Sequence, residues 1–196
     1  MTDAPRIRHL PATGHEDMAW KNGLGRTAEI ARHPAAGTVF DWRLSIATIE
    51  ADGAFSAFTG CDRTLIPIEG AGLALDFADG ETIAANRFEA MRFAGERACF
   101  GRLLAGRTRD LNVIVRRSAY AHAVTVVGPS ASVTNTGETM FVVALGGAVA
   151  ATADGGQWRL GPDDALRIDG PGIASHLTAI DADARAAVVI LRRVPA

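Results

Sequence analysis

The sequence predicts an all-β protein folded as two jelly-roll-like β-barrel lobes with little helix. Three observations carry that expectation. Short apolar or alternating runs recur along the whole chain, turn-forming Gly, Asp and Pro separate them, and part of the pattern occurs twice. Apolar residues at the three- and four-residue spacing of a helix are hard to find.

The clearest strands are expected at residues 27–31, 40–49, 64–68, 73–77, 111–115, 123–127, 141–145, 165–168 and 187–191. Some, such as 40–49, alternate between apolar and polar residues and read as strands with two unlike faces. Others, such as 141–145, are continuous apolar runs too short for a packed helix. Turn chemistry separates them at Asn22-Gly23, Asp52-Gly53, Asp79-Gly80, Asp154-Gly155 and Gly170-Pro171.

The repeat is weak but ordered. Residues 66–73 resemble 143–150, Asp79-Gly80 then matches Asp154-Gly155, and residues 91–95 match 166–170. Two strands, an acidic turn and a third strand ending in Gly therefore occur twice, so two related β lobes are implied, a jelly-roll pair of the cupin kind. One continuous sandwich without duplication is the alternative. The lobes are placed at residues 1–118 and 119–196, within one compact unit.

A chain of 196 residues, 48% hydrophobic and 21% charged, has globular composition and buries a core of its own. Its net charge of −2 and scattered basic residues argue against a nucleic-acid partner. No run reaches the roughly 18 apolar residues that span a bilayer, and the first residues lead into no signal-like segment, so no membrane association and a cytoplasmic location are expected. Cys61 and Cys99 are too few for a disulfide framework. Cys61, beside Asp62 and Arg63, reads either as a thiolate nucleophile or, as the burial tendency of Cys favours, as a small core residue.

Three stretches could carry chemistry. The run from Trp20 to Ile30 has two glycines but lacks the spacing and the Lys-Ser or Lys-Thr pair of a phosphate loop. It reads as a tight turn feeding a strand, or as a mouth lined by Trp20 and Asn22 whose glycines let backbone approach a ligand. In the strand from Asp41 to Ile49, period two puts Trp42, Leu44 and Ile46 on one face and Arg43, Ser45 and Ala47 on the other. By the same rule Thr27 and Glu29 share a face, and Glu29 could pair with Arg43 as a structural ion pair or serve as a catalytic carboxylate. Finally, Arg63 opens a strand after the Gly60 turn; its planar fork suits a carboxylate, although a surface arginine is the plainer reading. Asp62 should point to the opposite face.

His9, His15, His33, His122 and His176 are far apart, without the His-x-His or His/Glu spacing of a metal site, so neither a metal nor another cofactor is expected. No Gly-x-Ser-x-Gly elbow supports nucleophilic hydrolysis.

The Trp-x-Asn-Gly-x-Gly-x-Thr-x-Glu run from Trp20 to Glu29 and the Asp-Trp-Arg-Leu-Ser-x-Ala run from Asp41 to Ala47 resemble the HutD/Ves family. So do Asp52-Gly53, Phe55-Ser56, Gly60 and Asp62-Arg63, and downstream Phe93-x-Gly95, Gly106, Asp110-Leu111-Asn112 and Arg116-Arg117. The resemblance covers most of residues 16–117. It implies a bicupin fold without the usual cupin metal ligands and a link to histidine utilisation, restrained by binding an intermediate such as urocanate or N-formylglutamate. Carried over by position, it implies Arg63 as the carboxylate or formyl contact, with Trp20, Asn22, Thr27, Arg43 and Ser45 around it. The expected function is thus binding of a small carboxylate. A metal-free isomerase or deformylase-like hydrolase using Glu29 as base, and a stress-associated Ves-like protein, are the alternatives. Exposed sheet edges make a homodimer an open expectation.

Overall fold

The computed structural model describes residues 6–20, 23–37 and 39–195; their regular secondary structure is strand throughout apart from one 3-10 turn at Ala12–Gly14. The all-β expectation holds. Among the described residues no helix is long and apolar enough to cross a membrane. Contacts divide the chain into two compact units, residues 15–121 and residues 1–14 with 122–196.

The first unit, residues 15–121, holds two sheets. The larger has the order β2 (Glu16–Ala19), β3 (Gly25–His33), β4 (Trp42–Ile49), β11 (Thr108–Arg116), β6 (Cys61–Glu69), β9 (Met91–Ala94). The smaller has the order β5 (Gly53–Ala54), β10 (Cys99–Leu103), β7 (Leu73–Phe77), β8 (Thr82–Ala85). Leu65, Met91 and Phe93 of the larger sheet pack against Leu73, Leu75 and Phe77 of the smaller. Each fully buried Leu contributes about 1.5–3 kcal/mol by leaving water.

The second unit repeats that order. Its larger sheet runs β12 (Tyr120–Val127), β19 (Arg185–Arg193), β14 (Thr139–Leu145), β17 (Ala165–Asp169), β1 (Ile7–Leu10), and its smaller sheet runs β13 (Ser130–Thr134), β18 (Ala174–Ala179), β15 (Val149–Ala153), β16 (Gly156–Leu160). Thus β4, β11, β6 and β9 correspond to β12, β19, β14 and β17, and the repeated segments fall on β6 with β7 and β14 with β15. The acidic turns of the repeat are the hairpin turns after β7 and β15, where Gly80 and Gly155 take φ of +92° and +74°.

Two expectations are corrected. The hydrogen-bonded ladders run from edge to edge without closing, so each unit is a pair of open sheets packed face to face rather than a closed barrel. Closure requires the edge strands to continue the ladder, and β5 is only two residues long and β8 and β9 four. Residues 7–10 also do not stay with the sequence that follows them. They pair with β17, Ile7 opposite Ile168 and Leu10 opposite Ala165.

Asp164 fastens that N-terminal strand. Its carboxylate accepts from the Ala12 amide at 2.8 Å and the Gly161 amide at 3.0 Å, and bonds His9 Nε2 at 2.9 Å. An amide left without a partner costs about 1–3 kcal/mol. Asp164→Ala is therefore expected to lower stability in urea by about that amount and to abolish hydrogen-exchange protection of the β1 amides. Unchanged protection at Ile7–Leu10 would show that β1 is held without Asp164.

Candidate functional site

Residues directly opposed in an antiparallel ladder point to the same face, so the registers of the larger sheet in the first unit read as rows across its inner surface. One row is Arg32, Arg43, Ile114, Arg63 and Phe93; the next is Glu29, Ser45, Asn112, Leu65 and Met91; the third is Thr27, Ala47, Asp110 and Pro67. The strands β6 and β9 give this face its apolar half, and β3, β4 and β11 give it a polar half. An irregularity in β3 between Glu29 and Ala31 shifts the alternation, so Glu29 and Arg32 both face inward, 4.0 Å apart.

Over the polar half lies a cavity of about 460 Å³ lined by Met18, Ala19, Trp20, Thr27, Arg43, Ser45, Ala47, Ala54, Phe55, Ser56, Phe58 and Asn112. Its size suits a small organic molecule. Small side chains at Ser45 and Ala47 leave the space, and the polar side chains of Arg43 and Asn112 are part of the lining. Arg43 Nε and Asn112 Oδ1 are both buried without a hydrogen-bond partner. Burial pushes the Arg43 pKa below its ordinary value, against the opposing pull of Glu29.

Arg63 is 2% exposed and does not line this cavity. It touches the lining instead: Nη1 donates to the Ser56 carbonyl at 3.1 Å, and the guanidinium lies 5.7 Å from the Phe55 ring centroid, 5.2 Å from Phe58 and 5.0 Å from Phe93. Arg43 stacks on Phe58 from 5.5 Å and on Phe40 from 5.2 Å, so two cations share the Phe58 ring. The charge that answers Arg63 is Asp110, fully buried, with neither carboxylate oxygen hydrogen-bonded. Burial lowers the Arg63 pKa to about 10 and raises that of Asp110 to about 7, in each case partly offset by the other's charge. The paired attraction does not make up for lost hydration.

Close approaches to glycine build the mouth. Trp20 Nε1 donates to Thr27 Oγ1 at 2.8 Å, and the Trp20 ring lies over Gly25, where a Cβ would collide with the ring and with the Thr48 carbonyl. A Cβ at Gly101 would collide with the Phe55 ring. The loop carrying Phe55 and Phe58 thus folds down over the sheet only because β10 offers a glycine there.

The structure brings Trp20, Thr27, Arg43 and Ser45 together around the cavity, with Glu29 on the same face against Arg32; Asn22 lies outside the described residues. Burial raises the Glu29 pKa, with Arg32 and Arg43 pulling it down. Asp62 points away from Arg63, as alternation requires, and accepts from Arg117 Nε at 2.9 Å. Cys61 is buried, and burial pushes its thiol pKa up, away from nucleophilic use. Sequence reasoning gave no role to Asp110, Asn112, Phe55 or Phe58. Asp110 and Asn112 stand two residues apart in an apolar strand, and that pattern is the signal that two polar side chains share one buried face. Among the described residues no group of three or more His, Cys, Asp or Glu side chains is placed to hold a metal ion. A second, more open cavity of about 510 Å³ in the second unit includes Ser132 and His176, which bond one another at 3.2 Å.

An all-β, cupin-like fold with a cavity walled by an arginine, aromatic rings and small polar side chains defines the class. The fold is shared with distant proteins such as the oxalate decarboxylase of Lactobacillus farciminis, at a TM-score of 0.64 and 8% identity. The chain belongs to the HutD family, whose sequence profile matches residues 12–188. A Pseudomonas putida protein described as an uncharacterized 21.2 kDa protein in the hutC 3′ region is 34% identical over 168 residues, 84% of this chain and 88% of that protein. Protein Ves of Citrobacter koseri is 36% identical over 112 residues, 57% of this chain and 56% of that protein. The structure of HutD from Pseudomonas fluorescens SBW25, in a formate condition, superposes with a TM-score of 0.84 at 31% identity, covering 96% of this chain and all (100%) of that one.

Asp110 gives the first unit a pH-dependent stability. Its folded pKa of about 7 exceeds the ordinary 3.8, so between those values the native state binds more protons than the unfolded state. Stability then falls as pH rises through that window, by up to about 1.4 kcal/mol per pH unit. Asp110→Asn is expected to match the parent near pH 4 and to become the more stable protein by pH 8 in urea titrations. Parallel stability profiles from pH 4 to 8 would contradict an Asp110 that ionises near neutrality.

Proposed function

We propose that this chain is a bicupin-type binding protein for small carboxylates, working without a resident metal, that senses or restrains histidine catabolism. The observation that carries the reading is the Arg43 Nε donor, buried without a partner in the wall of a cavity that also holds Ser45, Thr27 and Asn112. A guanidinium with free donors recognises a carboxylate with directional, charge-assisted hydrogen bonds. Among the described residues that line the cavity none is His, Cys, Asp or Glu, so this wall offers an anion no negative charge and a metal no usual ligand. The matching strand order of the two units supports the bicupin architecture.

The ligand class finds support in the relatives. One is described by its place beside hutC and another is a HutD protein studied in a formate condition. Urocanate and N-formylglutamate, carboxylates of that catabolic route, are the leading candidates. In this reading Arg43 meets the carboxylate, and Arg63 holds the Phe55 to Phe58 wall from behind through Ser56. A metal-free isomerase or hydrolase with Glu29 as base has less support, because Glu29 faces Arg32 rather than the cavity.

Titration calorimetry with formate, urocanate and N-formylglutamate tests the reading. A hydrogen bond to a charged group contributes about 1.5–3 kcal/mol, so Arg43→Met is expected to weaken binding by roughly ten- to a hundredfold while leaving the fold intact. Arg63→Met is expected to act first on stability. No binding of any of the three at millimolar concentration, or undiminished affinity in Arg43→Met, would overturn the proposal.

A further inference from the structure

Two elements wall the cavity of the first unit from outside the sheet interior, and they are fastened very differently. One is the loop with Phe55, Ser56 and Phe58. Arg63 holds it from behind, with its guanidinium against the Phe55, Phe58 and Phe93 rings and one N–H on the Ser56 carbonyl. The other is β2, which gives the cavity Met18 and Ala19. It is the edge strand of its sheet, all four of its residues are exposed, and it pairs with β3 alone over those four residues.

Little holds β2 down along its length. Asp17 accepts from Arg26 Nε at 2.8 Å, an exposed ion pair of the kind that contributes little. At the start of the ladder Glu16 lies directly opposite Glu29, and two carboxylates in that relation repel. The residue after the strand is clasped instead. The Trp20 amide donates to the Gly25 carbonyl at 2.9 Å, its indole donates to Thr27 Oγ1, and its ring lies over Gly25.

We propose that β2 is a strap over the cavity: it swings from Trp20, lifts Met18 and Ala19 off the mouth and admits a ligand, while β3, β4 and β11 stay paired. Elements with few buried contacts and one hydrogen-bonded neighbour open at a lower free energy than the centre of a sheet. The Phe55 to Phe58 wall is the fixed side of the mouth, because moving it would strip a buried cation of its partners. The strap rests on the cavity being a ligand site, whatever the ligand is.

A cross-strand disulfide tests it. Asp17 and Ala28 are opposed, on the face turned away from Thr27 and Glu29, and opposed Cα atoms stand about 4.5–5.5 Å apart, within disulfide reach. The double variant Asp17→Cys/Ala28→Cys therefore pins the strap without altering the cavity lining. Phenylglyoxal, which modifies arginine, is the probe of entry, read at Arg43 by peptide mass spectrometry. Oxidising the variant is expected to slow modification of Arg43 at least about tenfold and to leave the exposed Arg102 unchanged. Equal rates at Arg43 in the oxidised and reduced forms, or no modification of Arg43 in the reduced form while Arg102 reacts, would overturn the strap. Should the variant not fold, hydrogen exchange of the unaltered protein decides. The amides joining β2 to β3 are expected to exchange at least about tenfold faster than those joining β4 to β11, and equal exchange would overturn it. Neither measurement uses a carboxylate ligand, so a failed strap leaves the carboxylate reading standing, and failed calorimetry leaves the strap.

Discussion

The first unit is organised around the burial of Arg63 and Asp110, opposite charges on β6 and β11 that share the interior without a hydrogen bond between them. Taking such groups out of water is costly, and a well-packed apolar pair would stabilise a sandwich better. The arrangement persists because other groups lean on it. Phe55, Phe58 and Phe93 surround the guanidinium, and the Ser56 carbonyl receives one of its N–H groups, so the loop over the cavity is fixed to the sheet through a cation.

Packing and polarity are therefore separated on one sheet face. Leu65, Met91 and Phe93 close the interior at the β6 and β9 end, where they meet the smaller sheet. Arg43, Ser45 and Asn112 leave it open at the other end. Glycine at positions 25 and 101 is a condition of that opening, since Trp20 and Phe55 occupy the space a Cβ would need. The second unit has the same strand order and a hydrophobic core cluster of its own, built from residues such as Met140, Leu160 and Leu166.

What could be read from the sequence was local. Period two places Arg43, Ser45 and Ala47 together on β4 and sends Asp62 away from Arg63, because alternation is a property of a single extended strand. The order of strands across a sheet is not local. Asp110 lies 47 positions after Arg63, and only the insertion of β11 between β4 and β6 brings it onto the same surface. The shift within β3 that turns Arg32 inward has no signature in an otherwise regular run, and short polar edges such as β8 and β13 lack the apolar pattern that marks a strand. Closed barrels were expected from strand number and turn spacing, which constrain the count of strands but not whether edge strands meet.

The central claim is that the recess under Phe55 and Phe58 is built to receive an anion on Arg43. A crystal structure of the protein with N-formylglutamate tests it most directly. The account predicts the carboxylate within hydrogen-bond distance of the Arg43 guanidinium, with Arg63 still bonded to the Ser56 carbonyl. A recess holding only water, with N-formylglutamate absent or bound elsewhere on the chain, would contradict it.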